Sequence, residues 1–290
     1  MEIIDVGNKG GDPQYGRGAC EFGYEIIMVV PYVYYLYTQN IPCKVLTCKG
    51  MKPFYYFLPE GSYIEKYDKR TWHVPQNVPL KGIHFPQLNK NKWVTPPFKD
   101  FYSKFQLKTK FEKEILIINN KYSCEWDHLP VNYLNLDVLD YLFNILSKKY
   151  TVLYNRPTTN IPLDFAEELN KKHKLKDLKD FELIKNKYPN VIDLGDLATY
   201  EKIPFNQLQL ILGSHSTKQI SVQGGNSILA SLTKGTNLVY AVKGHEIANN
   251  SFENWYSEFS GAFIKSTNNY DKLISFVEQY YINGEKTPNT

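Results

Sequence analysis

A parallel, doubly wound α/β fold is predicted by three features of the sequence. Residues Glu2 to Val6 read as a strand, followed by a glycine-rich segment, an apolar helix from Tyr24 to Tyr37 and a strand from Cys43 to Cys48. A second series of strands alternating with helices begins at Glu114. Within it, Gln219-Ile-Ser-Val222 leads through Gly224-Gly225 into a helix opened by Asn226 and Ser227. Strands and helices alternating at this spacing build parallel sheets, because each parallel pair needs a crossover.

The remaining elements follow in order. From Pro53 to Lys110, prolines at 59, 75, 79, 86, 96 and 97 break any clean period, so this stretch reads as loops and short elements. Its end, residues 86–110, is the expected crossover between an N-terminal domain, 1–107, and a C-terminal domain, 108–290. Ile115 to Ile118 is a short apolar strand. Leu134 to Lys148 carries apolar residues at 134, 138, 142, 145 and 146, the helical period, and ends in lysines that suit the C-terminal dipole. Strands are expected at Tyr150 to Tyr154, Val191 to Leu194 and Asn237 to Val242, with a short helix at Asn206 to Leu212. Asp271 to Tyr281 is a closing helix, free to pack back on the first domain.

Composition narrows the function. With 42% hydrophobic and 22% charged residues, the 290-residue chain reads as a soluble globular protein. The net charge of +4 comes from scattered lysines, which suits a small anionic ligand and gives no reason to expect nucleic acid. Cys20, Cys43, Cys48 and Cys124 lack metal-ligand spacing and read as reduced thiols. No secretory signal is evident, and the apolar run Ile26 to Tyr37 is too short to span a bilayer and contains Pro31. A cytoplasmic protein is expected.

The candidate ligand site comes from strand ends. Open parallel sheets bind ligands beyond the carboxyl ends of their strands. There the sequence places Lys121 and Tyr122, Arg156, the run Gln223 to Ser227, and Lys243 to Glu246. Adjacent glycines let amides approach a ligand, and a helix N-terminus suits a phosphate. Ser227 is expected at or near the N-cap. Lys121 or Arg156 would balance a diphosphate, and Glu246 would accept from ribose hydroxyls. The plain alternative is a tight strand-to-helix turn with no ligand. In the first half, Asp12, Arg17, Glu21 and Glu25 sit in or beside the glycine-rich loop. Glu21 is a candidate general base or a simple capping residue, and Asp12, His73, His84 and His245 are rival bases. D-x-D, GxxxxGK[ST], GxSxG and HExxH motifs are absent from the sequence, and Asp193 with Asp196, or Asp137 with Asp140, makes no convincing metal site.

These residues carry a family likeness. Ser221-Val-Gln-Gly-Gly-Asn-Ser-Ile-Leu-Ala-Ser231, followed by Gly235-Thr-Asn and Lys243-Gly-His-Glu246, resembles the donor-binding region of GT-B-type glycosyltransferases. The nearest look-alikes are small enzymes of large DNA viruses and of bacterial surface-polysaccharide clusters. Asn120 to Trp126, Tyr150 to Arg156, Tyr200 to Leu210 and Gly18 to Glu25 resemble the same group, while the likeness is weak over residues 50–110. The resemblance implies two Rossmann-like lobes with an interlobe cleft, the second holding a UDP- or GDP-sugar such as a xylose or fucose donor. Lys121, Tyr122, Arg156, Gln223, Gly224, Gly225, Asn226, Ser227 and Glu246 would contact that donor. Glu21, Asp12 or His73 would be the base, and Arg17, Glu25 and Trp126 would line the acceptor side or cleft. It implies an inverting, metal-independent transfer to a glycan or glycoprotein hydroxyl, with no cofactor. A non-catalytic carbohydrate- or nucleotide-binding protein of the same fold is the alternative. A dinucleotide oxidoreductase is disfavoured, because no GxGxxG follows the first strand.

Overall fold

The computed structural model describes residues 1–7, 17–71, 73, 78, 90–126, 128–157 and 170–285. They fold as two compact units, Met1–Pro97 and Phe98–Thr158 with Leu169–Thr290. The boundary thus falls before Phe98, earlier than position 107. The reason is local: Phe98–Tyr102 is a helix whose Phe98 carbonyl accepts from Ser214 Oγ at 3.3 Å. The amides of Lys108 and Thr109 donate to the buried Glu201 carboxylate at 2.9 and 2.8 Å.

The first unit contains a three-stranded parallel sheet in the order β1 (Glu2–Asp5), β2 (Cys43–Cys48), β3 (Tyr63–Tyr67). The expected helix is present but interrupted. It runs Phe22–Tyr24, then a π-helical turn Glu25–Val29, then Val30–Thr38. Pro31 explains the irregularity, since it has no N–H to give the Ile27 carbonyl four residues back. Trp93 Nε1 donates to that carbonyl instead, at 2.5 Å, and the Val30 amide reaches five residues back to Glu25. Strand β3, Tyr-Ile-Glu-Lys-Tyr, is a half-exposed edge with no apolar run, and its sequence gives no strand signal.

One carboxylate in this unit makes stability pH-dependent. Asp5, ending β1, accepts from the Gly7 amide at 3.0 Å, Tyr67 Oη at 2.6 Å and Lys66 Nζ at 3.1 Å. Burial alone would push its carboxyl up, but these donors outweigh burial and hold it below the usual carboxylate range. A depressed folded-state value contributes stability above the unfolded value of about 3.9, and that stability is lost as pH falls through the folded value. The stability gap between wild type and Asp5→Asn should therefore be widest near neutral pH and shrink below about pH 4, as urea melts across pH would record.

The second unit holds six parallel strands: β4 (Ile115–Asn119), β5 (Thr151–Asn155), β6 (Ile192–Asp193), β7 (Lys218–Val222), β8 (Thr236–Tyr240) and β9 (Phe263–Thr267). Their spatial order is β6-β5-β4-β7-β8-β9. Counted within the unit this is 3-2-1-4-5-6, the doubly wound order whose direction reverses between its first and fourth strands, here β4 and β7.

The two faces of this sheet differ in chemistry. On one, Leu116, Ile118, Val152, Tyr154, Ile220, Val222 and Leu238 pack against Leu139, Leu142 and Phe143 of the helix Leu136–Leu146 and against the closing helix. Asn135 caps the first of these helices, accepting from the Val138 amide at 2.9 Å. The closing helix, Tyr270–Val277 with a π-turn to Ile282, packs on the sheet of its own unit. Tyr281 Oη donates to the Gln219 and Thr236 carbonyls at 2.6 and 3.0 Å.

The opposite face is a ladder of amides and hydroxyls beneath the helices Phe205–His215 and Gly225–Leu232. Asn155 Nδ2 donates to Asn119 Oδ1 at 2.8 Å and to Gln209 Oε1 at 2.9 Å. Asn119 Nδ2 donates to Gln219 Oε1 at 3.1 Å, and Gln219 Nε2 to Thr233 Oγ1 at 2.8 Å. Ser221 Oγ donates to Asn237 Oδ1 at 2.7 Å, and Asn237 Nδ2 to the Ser227 carbonyl at 3.1 Å. All of these residues are buried, and apart from Asn155 Oδ1 the cost of burying their polar atoms is met by pairing them.

Candidate functional site

The carboxyl ends of β4 and β7, where the strand order reverses, bring several of the expected residues together. After β4, Asn120 fixes the chain: its Oδ1 accepts from the Lys121 and Leu134 amides at 3.0 and 2.9 Å, and its Nδ2 donates to Tyr154 Oη at 3.0 Å. Lys121 then reaches toward the end of β7. Its Nζ donates to Glu125 Oε1 at 2.6 Å and to Gln223 Oε1 at 3.1 Å.

After β7, the Gln223 amide donates to the Tyr240 carbonyl at 2.9 Å, and the chain turns at Gly224 with φ 133° and ψ −171°. That region is open essentially to glycine alone. A Cβ at Gly224 would stand 3.0 Å from Lys121 Nζ, so glycine also lets the ammonium sit against the turn. The helix Gly225–Leu232 follows directly. Among the described residues, the amides of Gly224, Gly225 and Asn226 have no acceptor. Three free donors, the positive end of a helix and an adjacent ammonium are what an anion requires.

Ser227 behaves differently from expectation. Gly224 takes the N-cap, and the fully buried Ser227 hydroxyl donates back to the Gly224 carbonyl at 2.7 Å. It braces the turn from inside and does not face a ligand. Asn226 borders a small gap of about 10 Å³, lined also by Asn119, Asn155, Gln209 and Gln219 of the amide ladder. Asn155 Oδ1, buried there, accepts from no described residue.

The loop after β8 closes the other side. Gly244 has φ 146°, and a Cβ there would stand 2.8 Å from Glu246 Oε2. Glu246 is 5% exposed, and its Oε2 accepts from Gln223 Nε2 at 3.1 Å. It therefore supports Gln223 and stands less open than a ribose contact requires. Asn132, which the sequence does not single out, ties this loop to the glycine turn. Its Nδ2 donates to Gln223 Oε1 at 3.1 Å and to the Lys243 carbonyl at 2.8 Å, while its Oδ1 accepts from the Val242 and Lys243 amides. A lone asparagine in a loop carries no motif, so only the fold reveals it.

Aromatic side chains flank the same strand ends. Trp126 is 41% exposed, has φ 50°, and lies 5.1 Å from Lys243 Nζ, ring centroid to nitrogen. Its turn is closed by reciprocal backbone bonds between Glu125 and His128 at 3.1 and 2.9 Å. Tyr122 is half-buried and packs edge-on against Tyr133, centroids 5.0 Å apart. Comparison with family models, with curated proteins and with solved structures finds no match to this chain. The site is accordingly read from its own geometry.

Arg156 is not part of the site's free charge. It is 8% exposed and bound in a fork by Asp180, Nε to Oδ2 at 2.5 Å and Nη2 to Oδ1 at 2.6 Å, with Asp177 at 3.1 Å. Burial works against its cation, but Asp180 outweighs burial and holds the guanidinium charged. With two carboxylates already against it, the diphosphate role expected of Arg156 is withdrawn.

The first-unit candidates also separate. Glu21 stands at the N-cap of the helical run, half-buried, with φ −51° and ψ 147°. Glu25, expected at an acceptor or cleft, is fully buried. Its Oε2 accepts from Arg70 Nη1 at 2.9 Å, and its Oε1 from Tyr55 Oη at 2.9 Å and from the Thr47 hydroxyl. It is a structural ion pair. His73 Nε2 lies 2.9 Å from the Val6 carbonyl, which can only accept, so this nitrogen carries a proton. Nδ1 then takes the Thr71 hydroxyl at 3.0 Å, leaving His73 badly placed as a base. Arg17 is exposed and His245 lies at the surface. Asp12 and His84 lie outside the described residues. The residues Asp193 and Asp196 form a helix cap, Asp193 Oδ1 accepting from the Asp196 amide at 2.8 Å. Among the described residues, no cluster of three or more potential metal ligands occurs, and no helix is long and apolar enough to cross a membrane.

Proposed function

We propose that the second unit binds the diphosphate of a nucleotide sugar beyond β4 and β7, and that the chain is a glycosyltransferase acting on a glycan or glycoprotein. One observation carries the reading: the glycine turn with three free amides and Lys121 beside it lies where the strand order reverses. Those amides and the Lys121 ammonium would hold the phosphate oxygens and stabilise the departing diphosphate without a metal. Gln223, braced by Asn132 and Glu246, fixes the turn, and Trp126 offers a ring face beside it. In an inverting transfer a base takes the acceptor hydroxyl's proton as its oxygen attacks the anomeric carbon opposite the leaving diphosphate. Glu21 is the candidate for that base.

Thermal unfolding with UDP, GDP, dTDP and CMP tests the donor site. A ligand specific to the folded state adds about 2.7 kcal/mol at 100 times its dissociation constant. No response to any of the four overturns the reading. The second reading, binding without turnover, is favoured by His73, a candidate base, having both ring nitrogens tied into the structure. A donor that stabilises the protein, with hydrolysis and transfer by the wild type no faster than in the protein's absence, would select it.

A further inference from the structure

An anion site at the glycine turn faces an electrostatic mismatch. Around the turn stand the Lys121 ammonium and two carboxylates, Glu125 and Glu246, while the Lys243 ammonium lies over the Trp126 ring in the neighbouring loop. A diphosphate entering between them would meet as much repulsion as attraction, since like charges at such distances oppose each other strongly in a partly buried site. One of the carboxylates must give way. Glu246 is held by Gln223 and is 5% exposed. Glu125 is held on one side only: Oε1 accepts from Lys121 at 2.6 Å, while Oε2 is buried and accepts from nothing described. A buried carboxylate oxygen without a donor has lost its hydration and gained no bond in return. Its side chain is 22% exposed, so water lies within reach of a rotation, and it neighbours the exposed Trp126 in a strained turn.

We propose that Glu125 is a displaceable counter-ion for Lys121. In the ligand-free protein its carboxylate occupies the anion's place, and an arriving phosphate takes over Lys121 while Glu125 turns out to solvent. Lys121 keeps one anionic partner in both states, and the site sheds one negative charge on binding. Glu125 is thus a positioning residue, and the inference rests on the donor site proposed above.

Isothermal titration of UDP, GDP and inorganic pyrophosphate into wild type and Glu125→Gln tests it. The isosteric amide removes the competing charge, so each probe should bind about 2- to 5-fold more tightly, the range of a partly exposed ion pair. Uridine and guanosine, which lack phosphate, should bind both proteins equally. In a Lys121→Met background, Glu125→Gln should give no gain, because the competition needs the ammonium. Pyrophosphate should also shift the emission that Trp126→Phe removes. Unchanged or weaker binding by Glu125→Gln, with an unaltered melting temperature, overturns the exchange and leaves the donor site standing. If neither protein binds any of the three phosphates, the donor site falls and the exchange with it.

Discussion

Arg70→Met is expected to lower stability by about 3–5 kcal/mol, because it leaves the fully buried Glu25 carboxylate without its cation. In wild type, Arg70 Nη1 binds both Glu25 Oε2 at 2.9 Å and the Cys20 carbonyl at 2.7 Å. Arg70 is 5% exposed, so solvent cannot replace it. Tyr55 and Thr47 would still donate to Glu25, but hydrogen bonds from neutral hydroxyls do not balance a buried charge. The double variant Glu25→Leu with Arg70→Met should be less damaged than the sum of its parts, since it buries no unpaired charge. Urea unfolding of the three variants measures this. Additive losses would mean that the two side chains act independently. The same pair explains why Glu25 misleads a reader of the sequence. Its fourfold spacing from Glu21 is visible, but Arg70 stands 45 positions on, and nothing local announces the partnership.

Gly224→Ala carries the second large effect. The backbone at φ 133° and ψ −171° is closed to residues with a Cβ, and the added methyl would meet Lys121 Nζ at 3.0 Å. Forcing a side chain into that region costs about 1–3 kcal/mol if the turn holds, and otherwise the turn rotates. Either outcome moves the three free amides, so nucleoside diphosphate affinity should fall by at least about tenfold, equivalent to about 1.4 kcal/mol. Gly61→Ala is the matched control. Gly61 also has positive φ, 84°, but nothing lies within 4 Å of its Cβ position. It should cost stability alone and leave binding intact. A Gly224→Ala protein that melts earlier yet binds normally would remove the glycine turn from the ligand site.

The sequence announces the elements whose chemistry is concentrated in short windows. Strands β2, β4, β5, β7 and β8 are apolar runs or end in turn residues, and the helix Leu136–Leu146 shows its period directly. Two strands at the sheet margins are silent: β3 and β9, Phe-Ile-Lys-Ser-Thr, are mostly half-exposed or exposed and need no hydrophobic run. β6, expected over Val191 to Leu194, keeps only Ile192–Asp193. The helix Leu194–Glu201 hides behind an apolar-looking start, its position set by the Asp193 cap. At the site, Lys121, Gln223 and Gly224 are legible because strand ends converge by rule. Arg156 follows the same rule and is claimed by Asp180, a pairing across 24 positions that only folding brings about. Asn132 is missed for the converse reason, since its importance lies wholly in four contacts made at long range.

The contrast between the two faces of the six-stranded sheet bears on how the protein tolerates change. Where Leu116, Ile118 and Val152 meet their helices, one aliphatic group can substitute for another at modest cost, because attraction there has no direction. Where Asn119, Asn155, Gln209 and Gln219 meet, Asn119, Gln209 and Gln219 each both give and take a hydrogen bond, and Asn155 gives two. Trimming any one of them strands its neighbours. Drift in sequence should therefore be lopsided, free beneath one layer of helices and halted beneath the other.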